Sequence, residues 1–522
     1  MSIRHATLAG GEMLRVFQND LADPDRFVVT LELVPGRESS GRSVEQVRRI
    51  AAEAFDDGRV SAVSITDNPG GNPALSPDAI GHDIFKIGMD VIVHFTCRDM
   101  NRVGMESRAL QLAMMGMKNI LALTGDYTGR GFCGQGAPVF DLDSVNLISM
   151  LGMLSDRLES SGDPDVFFPG CAVSPFKYSE GESFAQYAKL CRKTLAGAGF
   201  VITQLGYDAK KFRELILIMK HMGLSLPVIG SVYILTPATA RLMHSGQVPG
   251  AMISRRLVED VTGGWKDTDS GRAASVERAA RLAAVLKGIG YRGIHIGGVH
   301  RSFDPAARLL DRLAEIEGSW REFIPEFGVS PEDGFYAFPG EENQDGTNLF
   351  GKIRAKPGLW DAAGYSVLRK LHSTGFRADA PLGPFFRKLC RNFDKKKAGR
   401  RLVYLAEDLP KKLLLGCRRC GDCAIEHLAF LCPESGCPKH MRNGACGGSR
   451  NGFCEVHDDR LCVWHRAWRR FSSSKGAGRM AEGLIPPRMW ELDGTSSWLN
   501  FHLGRDHHSL KSCMKQGSSC KM

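Results

Sequence analysis

The sequence predicts a (β/α)8 barrel followed by a smaller cysteine-rich metal-binding domain. Apolar runs alternate with amphipathic segments eight times between Phe27 and about Glu317, and eight of the fifteen cysteines lie between Cys417 and Cys462. Roughly 290 residues with eight strand–helix units have the size and order expected of a closed parallel barrel. An open doubly wound sheet is the alternative, but eight nearly even repeats favour closure.

The apolar runs are short and end beside polar residues, which is typical of strands buried on both faces of a parallel sheet. In the clearest case, Lys118–Asp126, the run Ile120–Thr124 stops at Gly125 and Asp126, so a carboxylate lies where the strand becomes a loop. The predicted strands are Phe27–Val34, Ala62–Thr66, Val91–Thr96, Ile120–Thr124, Val166–Ser174, Phe200–Gln204, Leu226–Val232 and Ile294–Gly298.

Amphipathic segments separate these runs, and their apolar residues recur at helical spacing. One of them is expected to continue in a second piece after Ile253. The predicted helices are Val44–Phe55, Asp78–Ile87, Val103–Met117, Ser144–Leu158, Phe184–Ala198, Lys210–Met222, Thr236–His244 and Ala274–Ile289.

The rest of the chain divides by composition. Residues 318–380 are rich in Gly, Pro and aromatic residues and are predicted to be a connector, with a helix over Gly364–Leu371. A helical segment, Pro384–Leu415, leads into the cysteines. The predicted parts are an N-terminal extension (1–26), the barrel (27–317), the connector (318–380), the cysteine-rich domain (381–470) and a C-terminal tail (471–522).

Composition and charge exclude several classes of protein. No apolar run approaches the ~20 residues that span a bilayer, and Met1–Asp25 has no signal-peptide core. We therefore expect a cytoplasmic protein that binds no membrane. Most of the net charge of +10 lies between Pro384 and Arg419, which contain twelve Lys/Arg and three Asp/Glu. This pattern indicates a solvated face or a surface for an acidic electron-transfer partner, not a nucleic-acid site.

Polar residues at the strand ends predict the active site. In a (β/α)8 barrel the C-terminal ends of the strands form one rim, and this rim carries the chemistry. Glu32 lies inside the apolar run Leu31–Leu33, where burial should raise the pKa of a carboxyl, as a general acid requires. The rim residues are Glu32, Thr66, Asp67, Asn68, His94, Thr96, Arg98, Asp126, Ser174, Gln204 and Arg301.

A glycine-rich segment, Gly129–Gly134, matches the pattern G-x-G-x-x-G after a predicted strand. In a dinucleotide fold such a segment opens a helix directly. Here Pro138 follows and the helix begins only near Ser144. The segment is therefore predicted to be a loop over the barrel mouth, and a flavin or nucleotide would have to bind the barrel itself.

The cysteine segment begins with three thiols at x2 spacing, and eight thiolates suffice for two [4Fe–4S] clusters or for two zinc sites of four cysteines each. A triplet is more typical of iron–sulfur ligation, whereas zinc sites commonly use two close pairs. Disulfides are not expected in a reducing cytosol. The predicted metal ligands are Cys417, Cys420, Cys423, Cys432, Cys437, Cys446, Cys454 and Cys462.

The barrel motifs, in their order and spacing, resemble those of the 5,10-methylenetetrahydrofolate reductase family. The motifs are Leu31–Gly36, Val63–Thr66, His94–Cys97, Asn119–Leu123 with Gly125 and Asp126, Gly197–Gly199 and Ile202–Gln204. This resemblance implies a flavin-dependent barrel that passes a hydride from a reduced nicotinamide through the flavin to methylenetetrahydrofolate. NADH, NADPH and a reduced iron–sulfur protein all remain open as electron donors.

The resemblance also implies roles for individual residues. Glu32 would protonate the folate N10, Asp126 would lie by the flavin and hold the pterin, Gln204 would contact the substrate, and Arg301 would bind a glutamate carboxylate. Residues at flavin-binding positions are Thr66, His94, Thr124, Gly125, Asp126, Ser174, Arg192 and Lys193. Three residues depart from the family pattern and leave the choice between FAD and FMN open: Ser174 replaces a Tyr, Tyr178 a His and Thr124 an Arg.

Residues from about 360 to 510 resemble the cysteine-rich C-terminal region that accompanies some bacterial members of this family. That resemblance implies electron input through metal clusters. Two other functions remain open. One is a folate-dependent methyltransferase with a zinc site or a corrinoid partner, and the other is an electron-transfer subunit that has lost its flavin. The oligomeric state, including a homo-oligomer, also stays open.

Overall fold

The computed structural model describes residues 16–162, 167–328, 334–338, 357–377, 379–473 and 477–513. Most of the predicted N-terminal extension, part of the connector and the end of the tail lie outside these residues. The described chain contains a closed barrel of eight parallel strands surrounded by helices, followed by a largely helical C-terminal region that contains the cysteines. The predicted barrel is therefore confirmed.

The strands follow one another around the ring in chain order, and the last pairs with the first, so the barrel has no open edge. Each predicted strand is present with its ends shifted by at most two residues. The barrel strands are β1 (Val28–Leu33), β2 (Ala62–Ile65), β3 (Val91–Thr96), β4 (Asn119–Leu123), β7 (Phe168–Val173), β8 (Phe200–Thr203), β9 (Val228–Tyr233) and β10 (Gly293–Gly297). The glycine-rich segment forms an exposed hairpin of β5 (Arg130–Gly131) and β6 (Gly134–Gln135), not a nucleotide-binding turn.

Each predicted barrel helix is also present. The helices between the barrel strands and directly after them are α2 (Arg42–Asp57), α3 (Pro77–Lys86), α4 (Arg102–Met114), α5 (Ser144–Ser160), α6 (Glu180–Leu195), α7 (Ala209–Met222), α8 (Pro237–His244), α9 (Arg255–Gly263), α10 (Thr268–Ile289), α11 (Asp304–Ile316) and α12 (Trp320–Phe323). Capping residues account for several of their ends. Asp143 and Asp208 accept backbone N–H bonds in the first turns of α5 and α7, while Gly58 and Gly223 end α2 and α7 in the left-handed conformation.

The short helix α1 (Val16–Ala22) closes the end of the barrel where the strands begin. Its Phe17 is fully buried in the inner barrel core, with its ring 5.1 Å from that of Phe200 and 6.2 Å from that of Phe168. The backbone N–H of Phe17 donates to Asp90, which directly precedes β3. The predicted extension is described only in part, and this part closes the end of the barrel where the strands begin.

The C-terminal region covers the opposite end of the barrel. Trp468 stacks on Phe184 of α6 at 4.3 Å between ring centroids and donates its indole N–H to Glu180. The cysteine segment itself is mostly irregular. The helices of this region are α13 (Leu359–Gly375), α14 (Gly383–Asp394), α15 (Lys397–Leu415), α16 (Pro433–Gly436), α17 (Val463–Ser473) and α18 (Ser497–His502).

The segment predicted to be a tail packs into the cysteine-rich region. Ser496 donates to Glu407 of α15, Asn500 donates to the Gly421 carbonyl, and the backbone N–H of His507 donates to Asp422. The structure therefore extends the cysteine-rich region well beyond the predicted boundary at residue 470. Among the residues that the structure describes, no helix is long and apolar enough to cross a membrane.

We expect Phe17→Ala to lower the free energy of unfolding of the barrel by about 3–5 kcal/mol, because the change leaves a cavity between two aromatic rings. Chemical denaturation followed by circular dichroism measures the loss. Val103→Ala, at a largely exposed position of α4, is the matched control and should change little. Equal stability of the two variants would contradict the conclusion that α1 packs into the end of the barrel core.

Candidate active site

A cavity of about 500 Å³ opens at the C-terminal ends of the barrel strands. Glu32, Asp126 and Gln204, which are far apart in the sequence, all line it. The other predicted site residues in its lining are Thr66, His94, Thr124, Gly125, Ser174 and Lys193. Its size is within the range of sites for cofactors and small molecules, so the structure brings most of the predicted active-site residues to one place.

Glu32 lies close to a histidine on the neighbouring strand. Its Oε2 lies 3.7 Å from Nε2 of His295 on β10, and Nδ1 of His295 lies 2.8 Å from the Thr30 hydroxyl. Burial acts to raise the pKa of Glu32, but the hydrogen bond and positive charge of His295, with smaller effects of His94 and His300, lower it overall. The expectation that burial alone would raise the pKa of Glu32 is therefore wrong, because the sequence does not reveal the histidine partner.

His94 lies on β3 beside Glu32 and keeps a neutral ring. Burial, reinforced by the charge of His295, lowers the pKa of His94 to about 4 despite the nearby carboxylates of Glu32 and Asp67. Its Nε2 lies 2.6 Å from the Ser64 hydroxyl. At neutral pH His94 therefore offers the cavity a neutral imidazole.

Asp126 follows β4 and accepts a hydrogen bond from the backbone N–H of Gly70 at 3.1 Å. Burial chiefly raises the pKa of its carboxyl, and the negative charge of Glu455 adds to this effect, while Lys439 and Arg98 oppose it. Both Glu455 and Lys439 come from the cysteine-rich region. Residues of that region therefore shift the pKa of a carboxylate in the barrel.

Several buried polar atoms in the cavity lining have no hydrogen-bond partner among the described residues. They are Oγ1 of Thr66, Oγ of Ser174 and Nε2 of Gln186. Buried polar groups are rarely left unpaired in native proteins. These three atoms therefore indicate where a polar ligand binds.

Two predicted residues lie elsewhere. The guanidinium of Arg192 lies over the ring of Trp464 and donates to the carbonyl of Glu482, so it faces the C-terminal region and not the cavity. Arg301 is exposed beyond β10 and is also absent from the cavity lining. Lys193 does reach the cavity, where its Nζ donates to the Ala172 carbonyl at 2.6 Å.

The eight cysteines of the segment form two groups. Cys417, Cys420 and Cys423 line one small cavity, and Cys432 lies near enough for the charge of Cys423 to add to the burial that raises its pKa. A second small cavity is lined by Cys437, Cys446, Cys454 and Cys462. Whether these eight cysteines bind metal stays a prediction.

Both groups have buried positive charge beside them. Nζ of Lys411 lies 3.6 Å from the thiol of Cys423, and buried Lys177 lies close enough to Cys446 and Cys462 to interact with their charge. Among the described residues, no three of the eight thiols lie within 4.8 Å of one another.

The second group lies at the wall of the barrel cavity, because Lys439, Cys446 and Glu455 line both spaces. Gly444 allows this approach, since a Cβ there would lie 2.5 Å from the side chain of Lys189 on α6. Asn443 donates from its backbone and side chain to Asp143, which caps α5, at 2.9 and 3.0 Å.

The two parts of the chain match two sequence families. Residues 18–308, more than half of the chain, match the family described as methylenetetrahydrofolate reductase. The chain belongs to the methylenetetrahydrofolate reductase family. Residues 398–491 match a second family, described as methylene-tetrahydrofolate reductase C terminal. The family match thus extends to the segment that contains the cysteines.

Two curated relatives carry related names. A probable methylenetetrahydrofolate reductase (NADPH) of Caenorhabditis elegans is 25% identical over 340 residues, which are 63% of this chain and 46% of that protein. Methylenetetrahydrofolate reductase 1 of Schizosaccharomyces pombe is 24% identical over 275 residues, 52% of this chain and 43% of that protein. The chain thus spans less than half the length of these relatives.

A solved structure also resembles the chain. It is a protein from Clostridium thermocellum that binds two copies of 5-methyl-5,6,7,8-tetrahydrofolic acid; it is 12% identical and covers 58% of this chain and 99% of its own. The TM-score of the superposition is 0.39.

Sequence reasoning missed three residues of the cavity. His295 lies in the middle of an apolar strand, and pairing it with Thr30 on β1 would have placed it near Glu32. No local sequence pattern marks Lys439 and Glu455 as cavity residues, because they reach the cavity only when the cysteine-rich region packs on the barrel.

We expect Lys439→Gln to loosen the cysteine segment, because Lys439 pairs with buried Glu455 and donates to the Gly125 carbonyl at 2.8 Å. Removing one member of a buried pair typically costs about 3–5 kcal/mol. Hydrogen exchange should rise in residues 437–462 and stay unchanged in β1–β3. The double variant Lys439→Gln/Glu455→Gln should recover part of the protection. Unchanged exchange in the single variant would contradict this docking role.

Proposed function

We propose that this family member reduces 5,10-methylenetetrahydrofolate to 5-methyltetrahydrofolate with a bound flavin, and that its cysteine groups supply electrons. The observation that supports this proposal is the shared cavity, because Glu32, Asp126 and Gln204 of the barrel line it together with Cys446 of the second cysteine group. A substrate site and an electron entry site thus adjoin.

The lining fits a flavin, which when bound would transfer a hydride to the folate. The unpaired side chains of Thr66, Ser174 and Gln186 would bind its polar edges, and Lys193 offers a charge for a phosphate. Arg192, which points away from the cavity, is not part of this proposed site. FAD is the proposed form, with FMN as the alternative.

Glu32 and His295 would supply the proton that opens the folate ring. The hydrogen bond and charge of His295 lower the pKa of Glu32, and both side chains line the cavity. We propose that the proton passes to N10 from this pair, while Thr30 fixes the ring of His295. Asp126 would hold the pterin, and Gln204 would contact the substrate.

Iron–sulfur clusters fit the cysteine groups better than zinc does. Four sulfurs around one zinc ion lie about 3.8 Å apart, as Zn–S bonds of about 2.3 Å at tetrahedral angles require. No three of the described thiols lie within 4.8 Å of one another, and Cys417, Cys420 and Cys423 have the x2 spacing that is typical of iron–sulfur ligation. We propose a [4Fe–4S] cluster in each group, which would carry electrons toward the cavity.

The electron donor is proposed to be an acidic electron-transfer protein that binds near the first cysteine group, with NADH or NADPH at the cavity as the alternative. Helix α15 contributes Tyr404 and Asp408 to the lining of that group, and α15 lies within the basic segment Pro384–Arg419. A positively charged face beside a redox centre would attract such a partner.

We expect Glu32→Gln to retain flavin and to be reduced by a competent donor, yet to lose folate reduction by about 10²–10⁴-fold, because the amide cannot deliver the proton. Stopped-flow spectroscopy separates the two half-reactions. Glu38→Gln, at an exposed position after β1, is the control and should behave like the wild type. If flavin reduction fails while folate still reoxidises the flavin, the assignment of Glu32 is wrong.

We expect Cys420→Ser to lose one of the two proposed clusters and to keep the flavin, because the first group lies apart from the cavity lining. The variant should reduce folate when a small viologen feeds the flavin and should fail with the physiological donor. Iron analysis should find about half of the wild-type content. Cys133→Ser, at an exposed cysteine outside both groups, is the control. Full activity of Cys420→Ser with the physiological donor would contradict the electron path.

A further inference from the structure

A cluster of imidazoles and carboxylates lies where the cysteine segment meets the C-terminal segment. His427 follows Cys423 closely, whereas His507 and His508 come from a segment 80 residues further along the chain. His507 is fully buried, and the other two are partly buried. The members of the cluster are His372, Asp422, Glu426, His427, Asp506, His507 and His508.

Two distances among these side chains match the spacing of ligands around one metal ion, and a third is a hydrogen-bond distance. Nε2 of His427 lies 3.2 Å from Nε2 of His507 and 3.3 Å from Oε1 of Glu426, and that oxygen lies 2.6 Å from Nε2 of His508. One ligand atom from each of the three histidines lies within 4.8 Å of the other two. Ligands about 2.0–2.1 Å from a tetrahedral zinc ion are about 3.3 Å apart.

His507, His508 and Glu426 each have a further polar partner. Nδ1 of His507 lies 2.5 Å from Oδ1 of Asp422, Nδ1 of His508 lies 3.0 Å from Oδ2 of Asp506, and Oε2 of Glu426 lies 2.7 Å from Nε2 of His372. Carboxylates that orient the second nitrogen of a ligating histidine are a recurring feature of metal sites.

The nitrogens of His508 and His507 each face another polar group. Nδ1 of His508 lies 3.0 Å from Oδ2 of Asp506, and its Nε2 lies 2.6 Å from Oε1 of Glu426. Nε2 of His507 lies 3.2 Å from Nε2 of His427. A metal ion bound here would replace protons that these imidazoles otherwise carry.

We propose that His427, His507 and His508, with Glu426 beside them, bind one zinc ion, separate from both cysteine groups. Imidazole and carboxylate ligands suit zinc and do not hold an iron–sulfur cluster of the kind ligated by four cysteines. Asp422 stays outside the ligand set because it already accepts from Arg442 and from the backbone N–H of Met489.

The site would be structural. Its ligands join residues 426–427 to residues 507–508, and Asp422, which holds His507, lies between Cys420 and Cys423. A structural zinc ion contributes directly to folding free energy. The ion would thus link the C-terminal segment to the loop of the first cysteine group.

Zinc X-ray absorption on the full-length protein tests this proposal without relying on activity. After anaerobic expression with zinc supplied, we expect one zinc per chain with nitrogen and oxygen ligands at about 2.0–2.1 Å and without sulfur at about 2.3 Å. Zinc bound only by sulfur, or no bound zinc, would overturn the proposal and leave a hydrogen-bonded cluster with a protonated imidazole.

Three variants add a second readout. His427→Ala should lose the zinc, and Asp506→Asn should weaken zinc affinity about 10–100-fold because it removes an orienting carboxylate. Both should keep the iron of the cysteine groups. His457→Ala, an exposed histidine of the same segment, should keep one zinc per chain. If His427→Ala is insoluble, Asp506→Asn decides, and unchanged zinc affinity in that variant contradicts the site.

Discussion

The buried ammonium of Lys439 joins the two halves of this protein. It pairs with Glu455, donates to the carbonyl of Gly125 at the end of β4, and is almost fully excluded from solvent. A lysine is stable in such a place only when both of its contacts are kept. The contact therefore determines how the cysteine segment lies on the barrel, and it places Cys446 at the cavity that contains Glu32 and Asp126.

The same packing determines the electrostatics of the cavity. Glu455 adds to the burial that raises the pKa of Asp126, whereas His295 on the neighbouring strand lowers the pKa of Glu32. The two carboxylates thus have opposite shifts within one cavity. Perturbed carboxylates of this kind are concentrated at functional sites.

Much of this could be predicted from the sequence, because the strands of a parallel barrel are continuous apolar runs with polar residues at their ends. Glu32, Asp126 and Gln204 reached one cavity for that reason. The pairing of Glu32 with His295 depends on strand register, and the positions of Arg192 and Lys439 depend on how a second region packs. Strand register and the packing of a second region leave no periodic pattern in the sequence. Asn500 and His507 are buried although the segment that contains them is polar, so their contacts could not be predicted either.

We propose that this family member joins a flavin site to two clusters in one chain. The most direct test is the iron, sulfide and flavin content of the anaerobically purified protein. We predict about eight irons, about eight labile sulfides and one flavin per chain. Protein that reduces methylenetetrahydrofolate with its flavin in place but contains no iron would contradict the account.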